Sequence, residues 1–162
     1  MKKEDIVEQL YLIEAIEGIF PALTLHPDAL CIYPPLLQAI ASLLQEKSKD
    51  LHFDFVYAVN AASIPLATLL SSLKKKPLCY DLSCSHSYLK PGLTCLLFDA
   101  TTMHSKEELS QAYDHFSKQG IPTASALTLL SPSSPLPSTP FKLHSLWKMQ
   151  ELACSVFSEV QI

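Results

Sequence analysis

The chain of 162 residues falls within the size of one domain, and 48% of it is apolar, enough for a real core and too much for intrinsic disorder. Its formal net charge is −4 and all 12 basic residues are lysine, which excludes the concentrated basic face of a nucleic-acid binder and removes the guanidinium fork best suited to carboxylate and phosphate. Any anionic ligand must be held by lysine, backbone amides or hydroxyls. Glycine occurs only three times, against roughly 11 at an average usage of about 7%. The cysteines Cys31, Cys79, Cys84, Cys95 and Cys154 contain no CxxC pair. No basic segment followed by an apolar run and a small-residue cleavage site is found, so reduced thiols and a cytoplasmic location are expected.

The first helix is predicted over residues 3–17, with Ile6, Leu10, Ile13 and Ile16 on one face and Gly18 closing it. Residues 22–26 and 29–33 read as two short strands around the turn pair Pro27-Asp28. Pro34-Pro35 opens a helix carrying Leu36, Leu37, Ile40, Leu43 and Leu44, which ends in the solvated run 45–50. Strands and helices then alternate: strand 53–59, helix 62–73, strand 77–82, a polar loop through Lys90, strand 94–98, helix 105–119 and strand 122–130. A Ser/Pro surface loop over 131–140 precedes a last strand–helix pair at 142–158, where Leu146, Trp147, Met149 and Leu152 are expected as core or dimer contacts.

The uncharged stretch from Phe55 to Leu73 is long enough to suggest a membrane span, but Asn60, Ser63, Pro65 and Thr68 interrupt it. Its pattern also changes from strand-like to helix-like, so a buried strand feeding a buried helix is expected, with no membrane partner. Strands that read as continuous apolar runs, separated by helices of about 10–15 residues, predict an α/β fold with a parallel sheet buried on both faces.

Ligands of open α/β sheets sit beyond the carboxyl ends of the strands, against helix N-termini. Two strand-to-helix turns point there, residues 59–65 and 98–105. Candidate binding residues are Asn60, Ala61, Ala62 and Ser63 in the first, and Asp99, Thr101, Thr102 and Ser105 in the second. An acid at a strand tip accepts sugar hydroxyls, while hydroxyls and helix amides hold a phosphate. Each residue also has a plainer role. Asp99 can cap its strand, and Thr101 and Thr102 can serve the turn. Ser105 with Glu108 forms a capping-box signature, and Asn60 can be a left-handed turn residue instead of a ligand contact. Cys79, Cys84, His86 and His104 match no common zinc spacing, so no metal site is expected.

The chain resembles the type I phosphoribosyltransferases, and within them orotate phosphoribosyltransferase, from about residue 36 to 156. The carrying stretches are 36–44 (LLQAIASLL), 53–59 (FDFVYAV) with 64–68 (IPLAT), 76–78 (KPL), 91–99 (PGLTCLLFD), 118–120 (KQG), 143–146 (LHSL) and 150–152 (QEL). The resemblance implies a twisted parallel sheet flanked by helices, with a reduced N-terminal hood over 1–33 on a core over 34–162. It further implies a homodimer that binds 5-phosphoribosyl 1-diphosphate (PRPP), with Mg²⁺ carried on PRPP and no other cofactor. The family's reaction converts orotate and PRPP to orotidine 5′-monophosphate and pyrophosphate, a step of pyrimidine biosynthesis.

Departures from the family pattern fall on its working parts. Asp99 matches the first acid of the PRPP loop, but Ala100 replaces the second, and no glycine lies between Gly92 and Gly120 to form the usual nest. The segment 81–90, where the family carries a mobile loop rich in arginine and lysine, holds one lysine. Ser131-Pro132 stand where the family has Asp-Arg, and Cys31-Ile32-Tyr33 run straight into Pro34-Pro35. Stabilising the developing charge contributes most to the rate of such a transfer, and losing one donor costs about 2.7–4 kcal/mol. A catalytically degenerate protein is therefore expected, either retaining phosphate or nucleotide binding at the two turns or acting through a protein partner. The alternatives are a divergent active orotate phosphoribosyltransferase and a purely structural dimer.

Overall fold

The computed structural model describes residues 1–18, 22–83, 88–101, 105–131 and 139–157, with backbone alone for residues 105, 106 and 154–157. Five strands, β3 (Phe55–Ala58), β4 (Leu78–Cys79), β5 (Cys95–Asp99), β6 (Thr123–Ser131) and β7 (Leu143–Lys148), form one parallel sheet in the order β4-β3-β5-β6-β7. Every residue of β3 and β5 is buried, as their unbroken apolar runs require of central strands covered on both faces.

Alternate residues of these strands serve two cores. Val56, Ala58, Leu96, Phe98, Leu127 and Leu129 face a large cluster built with helices α1 (Lys3–Leu12), α3 (Pro34–Lys47), α4 (Ile64–Lys74) and α6 (Met149–Phe157). Phe55, Tyr57, Cys95, Leu97 and Ala126 face a smaller cluster under α5 (Ser105–Lys118), which contributes Leu109, Ala112 and Phe116. Burial pushes the Cys95 thiol well above its usual pKa, so it acts as a small apolar residue. Leu146, Trp147, Met149 and Leu152 are all core positions of the single chain.

The uncharged stretch from Phe55 to Leu73 is β3, a turn and most of α4, and among the described residues no helix is long and apolar enough to cross a membrane. The helix expected from residue 62 starts instead at Ile64, because residues 61–63 form a 3₁₀ turn that runs directly into α4. Pro65 lies in the first turn of α4, where its missing N–H removes no helical bond.

The N-terminal region differs from expectation in two places. The first helix stops at Leu12 rather than residue 17, because Glu14 takes a left-handed φ of 57° and Ile16–Glu17 becomes β1, paired antiparallel with β2 (Thr24–Leu25). Gly18 does not close a helix. It has φ +100° in the connection between β1 and β2, where a Cβ would lie 2.4 Å from the Ala22 carbonyl oxygen. Residues 29–33 are not a strand, since Pro27 starts the short helix α2 (Pro27–Leu30), which buries Leu30. Proline at N1 is pre-set for a helical turn, and here that preference outweighs the β-branched Ile32 that follows. Ile6, Leu10, Leu23, Leu25 and Leu30 join the same cluster as α3 and α4, so the N-terminal segment is packed into the main core.

Candidate functional site

The chain leaves β3 toward β4 on one side of the sheet and returns past β3 to build β5, β6 and β7 on the other. The order therefore reverses between β3 and β5, and beyond their carboxyl ends a crevice opens at the switch point. The two turns singled out from sequence meet there.

Asn60 joins them. Its backbone is extended, with φ −149° and ψ 168°, which removes the left-handed reading. Its Oδ1 caps the 3₁₀ turn, accepting from the Ser63 N–H at 3.0 Å and the Ser63 hydroxyl at 2.7 Å. Its Nδ2 reaches across the crevice to Glu108 Oε2 at 2.8 Å, and to Asp99 Oδ1 and Thr101 Oγ1 at 3.3 Å each. A side-chain amide has two hydrogens for these three acceptors, so the short bond to Glu108 takes one and the other two share the second.

Asp99 ends β5 and is fully buried. Its Oδ1 accepts from both the backbone N–H and the hydroxyl of Thr101 at 2.7 Å, while its Oδ2 is buried with no hydrogen-bond partner among the described residues. Burial raises the Asp99 pKa above the usual carboxylate value; the bonds from Thr101 and Asn60 oppose this, and the Glu108 charge adds to it. Ala100, which stands in the place of a second acid, donates its N–H to the buried Ser63 hydroxyl at 2.8 Å.

Of the candidate residues, Asn60, Ser63, Asp99 and Thr101 thus form one hydrogen-bonded group. Ala61 and Ala62 lie in the 3₁₀ turn beside it and have only backbone groups to offer a ligand. Ser105 begins α5, but its side chain lies outside the described residues, as do Thr102, Cys84, His86 and His104. Glu108 is the residue that sequence reasoning assigns elsewhere. Its carboxylate accepts from Asn60 across the crevice. The signal is present as an acid in the first turn of α5, but nothing local shows that Asn60 would stand opposite it.

The buried acid carries a testable consequence for stability. Folded Asp99 holds its proton more tightly than the unfolded chain does. The native state therefore binds the extra proton between about pH 3.9 and the raised folded value. Stability from this group is fully present below that window and is lost as pH rises through it. Each tenfold tightening of proton binding corresponds to about 1.4 kcal/mol. In Asp99→Asn, which cannot titrate, the melting-temperature deficit relative to wild type is expected to shrink as pH rises from 3.5 to 7. A pH-independent deficit in thermal melts of both proteins would refute the raised proton affinity.

By sequence, no family model and no curated protein matches the chain. By structure, it superposes on the UMP synthase of Leishmania donovani with a TM-score of 0.82 at 15% identity, over 100% of this chain and 40% of that one. The chain therefore spans well under half the length of that protein. It superposes on the orotate phosphoribosyltransferase of Aeropyrum pernix with a TM-score of 0.79 at 17% identity, over 94% of this chain and 99% of that one. For the adenine phosphoribosyltransferase of Thermoanaerobacter pseudethanolicus the TM-score is 0.71 at 11% identity, over 88% and 99% of the two chains. With its five-stranded parallel sheet and flanking helices, the chain has the type I phosphoribosyltransferase fold.

Proposed function

We propose that the chain is an orotate-phosphoribosyltransferase-like protein, working as a cytoplasmic homodimer, that has lost efficient phosphoribosyl transfer. The observation that carries this reading is the Asn60 bridge. The crevice in which a diphosphate would have to sit presents the Glu108 carboxylate above the buried Asp99, and among the described residues its side-chain donors are spent on protein acceptors. The Ser63 N–H and hydroxyl are held by Asn60, the Asn60 amide by Glu108, and the Thr101 N–H and hydroxyl by Asp99. An efficient transferase aims cations and free amides at the charge that develops on a departing pyrophosphate, and these side chains are bonded to protein acceptors instead.

Mg²⁺ belongs to this chemistry through the diphosphate, and the donor set fits it poorly. Asp99 Oδ1 is engaged by Thr101, and Oδ2 is buried. What the crevice retains are oxygen acceptors and hydroxyls, which suit weak binding of a nucleotide's sugar or service to a protein partner better than catalysis.

The test is to incubate the purified chain with PRPP, Mg²⁺ and orotate and to follow orotate absorbance. No turnover above the protein-free rate is expected. Turnover that Asp99→Ala abolishes would establish the active-enzyme alternative instead. A thermal shift with PRPP in the absence of turnover marks retained binding, and no shift with any phosphorylated ligand favours the purely structural dimer.

A further inference from the structure

A second cleft, of about 340 Å³, lies between the end of α3, strand β7 and the start of α6, and none of the crevice residues lines it. That volume is within the usual range for small-molecule sites. In a chain of net charge −4 its lining is cationic, with Lys47 from α3 and Lys148 from the end of β7. Among the described residues neither lysine has a carboxylate within ion-pair distance. The acid beside Lys148 is Glu151, which accepts the Lys148 backbone N–H at 3.1 Å and the Lys3 ammonium at 3.4 Å. Ser131 and Ser145 add hydroxyls, and Gln150 adds an amide.

His144, on the same wall, has a buried Nε2 with no hydrogen-bond partner among the described residues. Burial, and after it the positive charges of Lys142 and Lys47, hold this imidazole below its usual pKa, so the ring senses charge placed in the groove. Lysine binds phosphate as a point charge, without the fork geometry that arginine supplies, so a chain lacking arginine can still build such a site.

We propose that this groove binds a phosphate-bearing small molecule, with the Lys47 and Lys148 ammonium groups neutralising the phosphate beside the His144 ring. The inference is independent of whether the crevice between β3 and β5 has kept any activity.

The test is NMR observation of the His144 ring in the full chain during titration with inorganic phosphate, with ribose 5-phosphate, and with chloride at matched ionic strength. A saturable His144 shift with the phosphate compounds and none with chloride is expected. Lys47→Gln and Lys148→Gln should each weaken binding about tenfold, the scale of one charge-assisted hydrogen bond. Lys49→Gln, whose ammonium pairs with Glu46 at 2.7 Å outside the groove, should leave it unchanged. Tighter binding of ribose 5-phosphate would identify a phosphate ester as the ligand, and equal binding would identify phosphate itself. No His144 shift, a shift that chloride reproduces, or one insensitive to both groove lysines would overturn the proposal.

Discussion

Phe116→Ala is expected to lower the free energy of unfolding by about 3–5 kcal/mol, the range for removing a large buried aromatic side chain. Phe116 is the largest fully buried side chain that α5 sends into the second face of the sheet. Its ring meets Phe55 edge-on at 5.5 Å and Tyr57 at 5.1 Å between centroids. Such pairs add about 0.5–1.5 kcal/mol beyond the area they bury. Leu109 and Ala112 are the other buried contacts of α5 with this cluster, and neither can fill the space left by the ring. Because domains of this size are stable by only about 5–15 kcal/mol, Phe116→Leu provides a milder companion that should fold and lose less. Urea unfolding of both variants is the measurement. A loss below about 1 kcal/mol for Phe116→Ala, with unchanged slope, would show that α5 does not depend on this anchor.

The same packing explains which parts of the fold are legible in the sequence. β3 and β5 are buried on both faces, so their apolar runs are unbroken and read directly as central strands, and β6 reads as one despite the buried Ser125 and Thr128 within it. β4 has only two paired residues at the sheet edge and carries no such run, and the strand expected at 77–82 is accordingly too long. At residues 13–17 and 29–33 the local pattern favours the wrong elements, whereas the strand expected at 22–26 is there as β2. Ile13 and Ile16 continue the helical spacing of α1, but the pairing of Ile16 with Leu25 is a contact made across the chain, and it decides the backbone. At the site, Asn60 and Asp99 are visible because a polar residue at the end of an apolar strand is conspicuous. The bond from Asn60 to Glu108 spans 48 positions and depends on β3 lying beside β5. No local signature encodes that neighbourhood, and the capping-box spacing of Glu108 offers a self-sufficient reason for an acid in the same turn.

That bridge sets the second large effect. Asn60→Ala is expected to destabilise the protein by about 2–3 kcal/mol, combining the loss of an N-cap, about 1 kcal/mol, with the half-buried Glu108 acceptor left unpaired, about 1–3 kcal/mol. Asn60→Asp separates the two contributions. It keeps the Oδ1 that caps Ser63, but replaces the donor facing Asp99 and Glu108 with a third carboxylate. At pH 7 Asn60→Asp should therefore be at least as unstable as Asn60→Ala, despite the retained cap. A carboxyl placed among like charges binds its proton more tightly when folded, so its stability relative to wild type should recover as pH falls through the carboxylate range. Glu108→Gln in the Asn60→Asp background removes one of the opposing charges and supplies an amide donor in its place. Chemical denaturation at pH 7 of the two single variants and the double variant should give a coupling between these positions of about 0.5–3 kcal/mol. It should carry the sign of rescue, with the double variant more stable than the two single losses predict. Additive losses would mean that Asn60 caps its own turn and does nothing to hold the two sides of the crevice together.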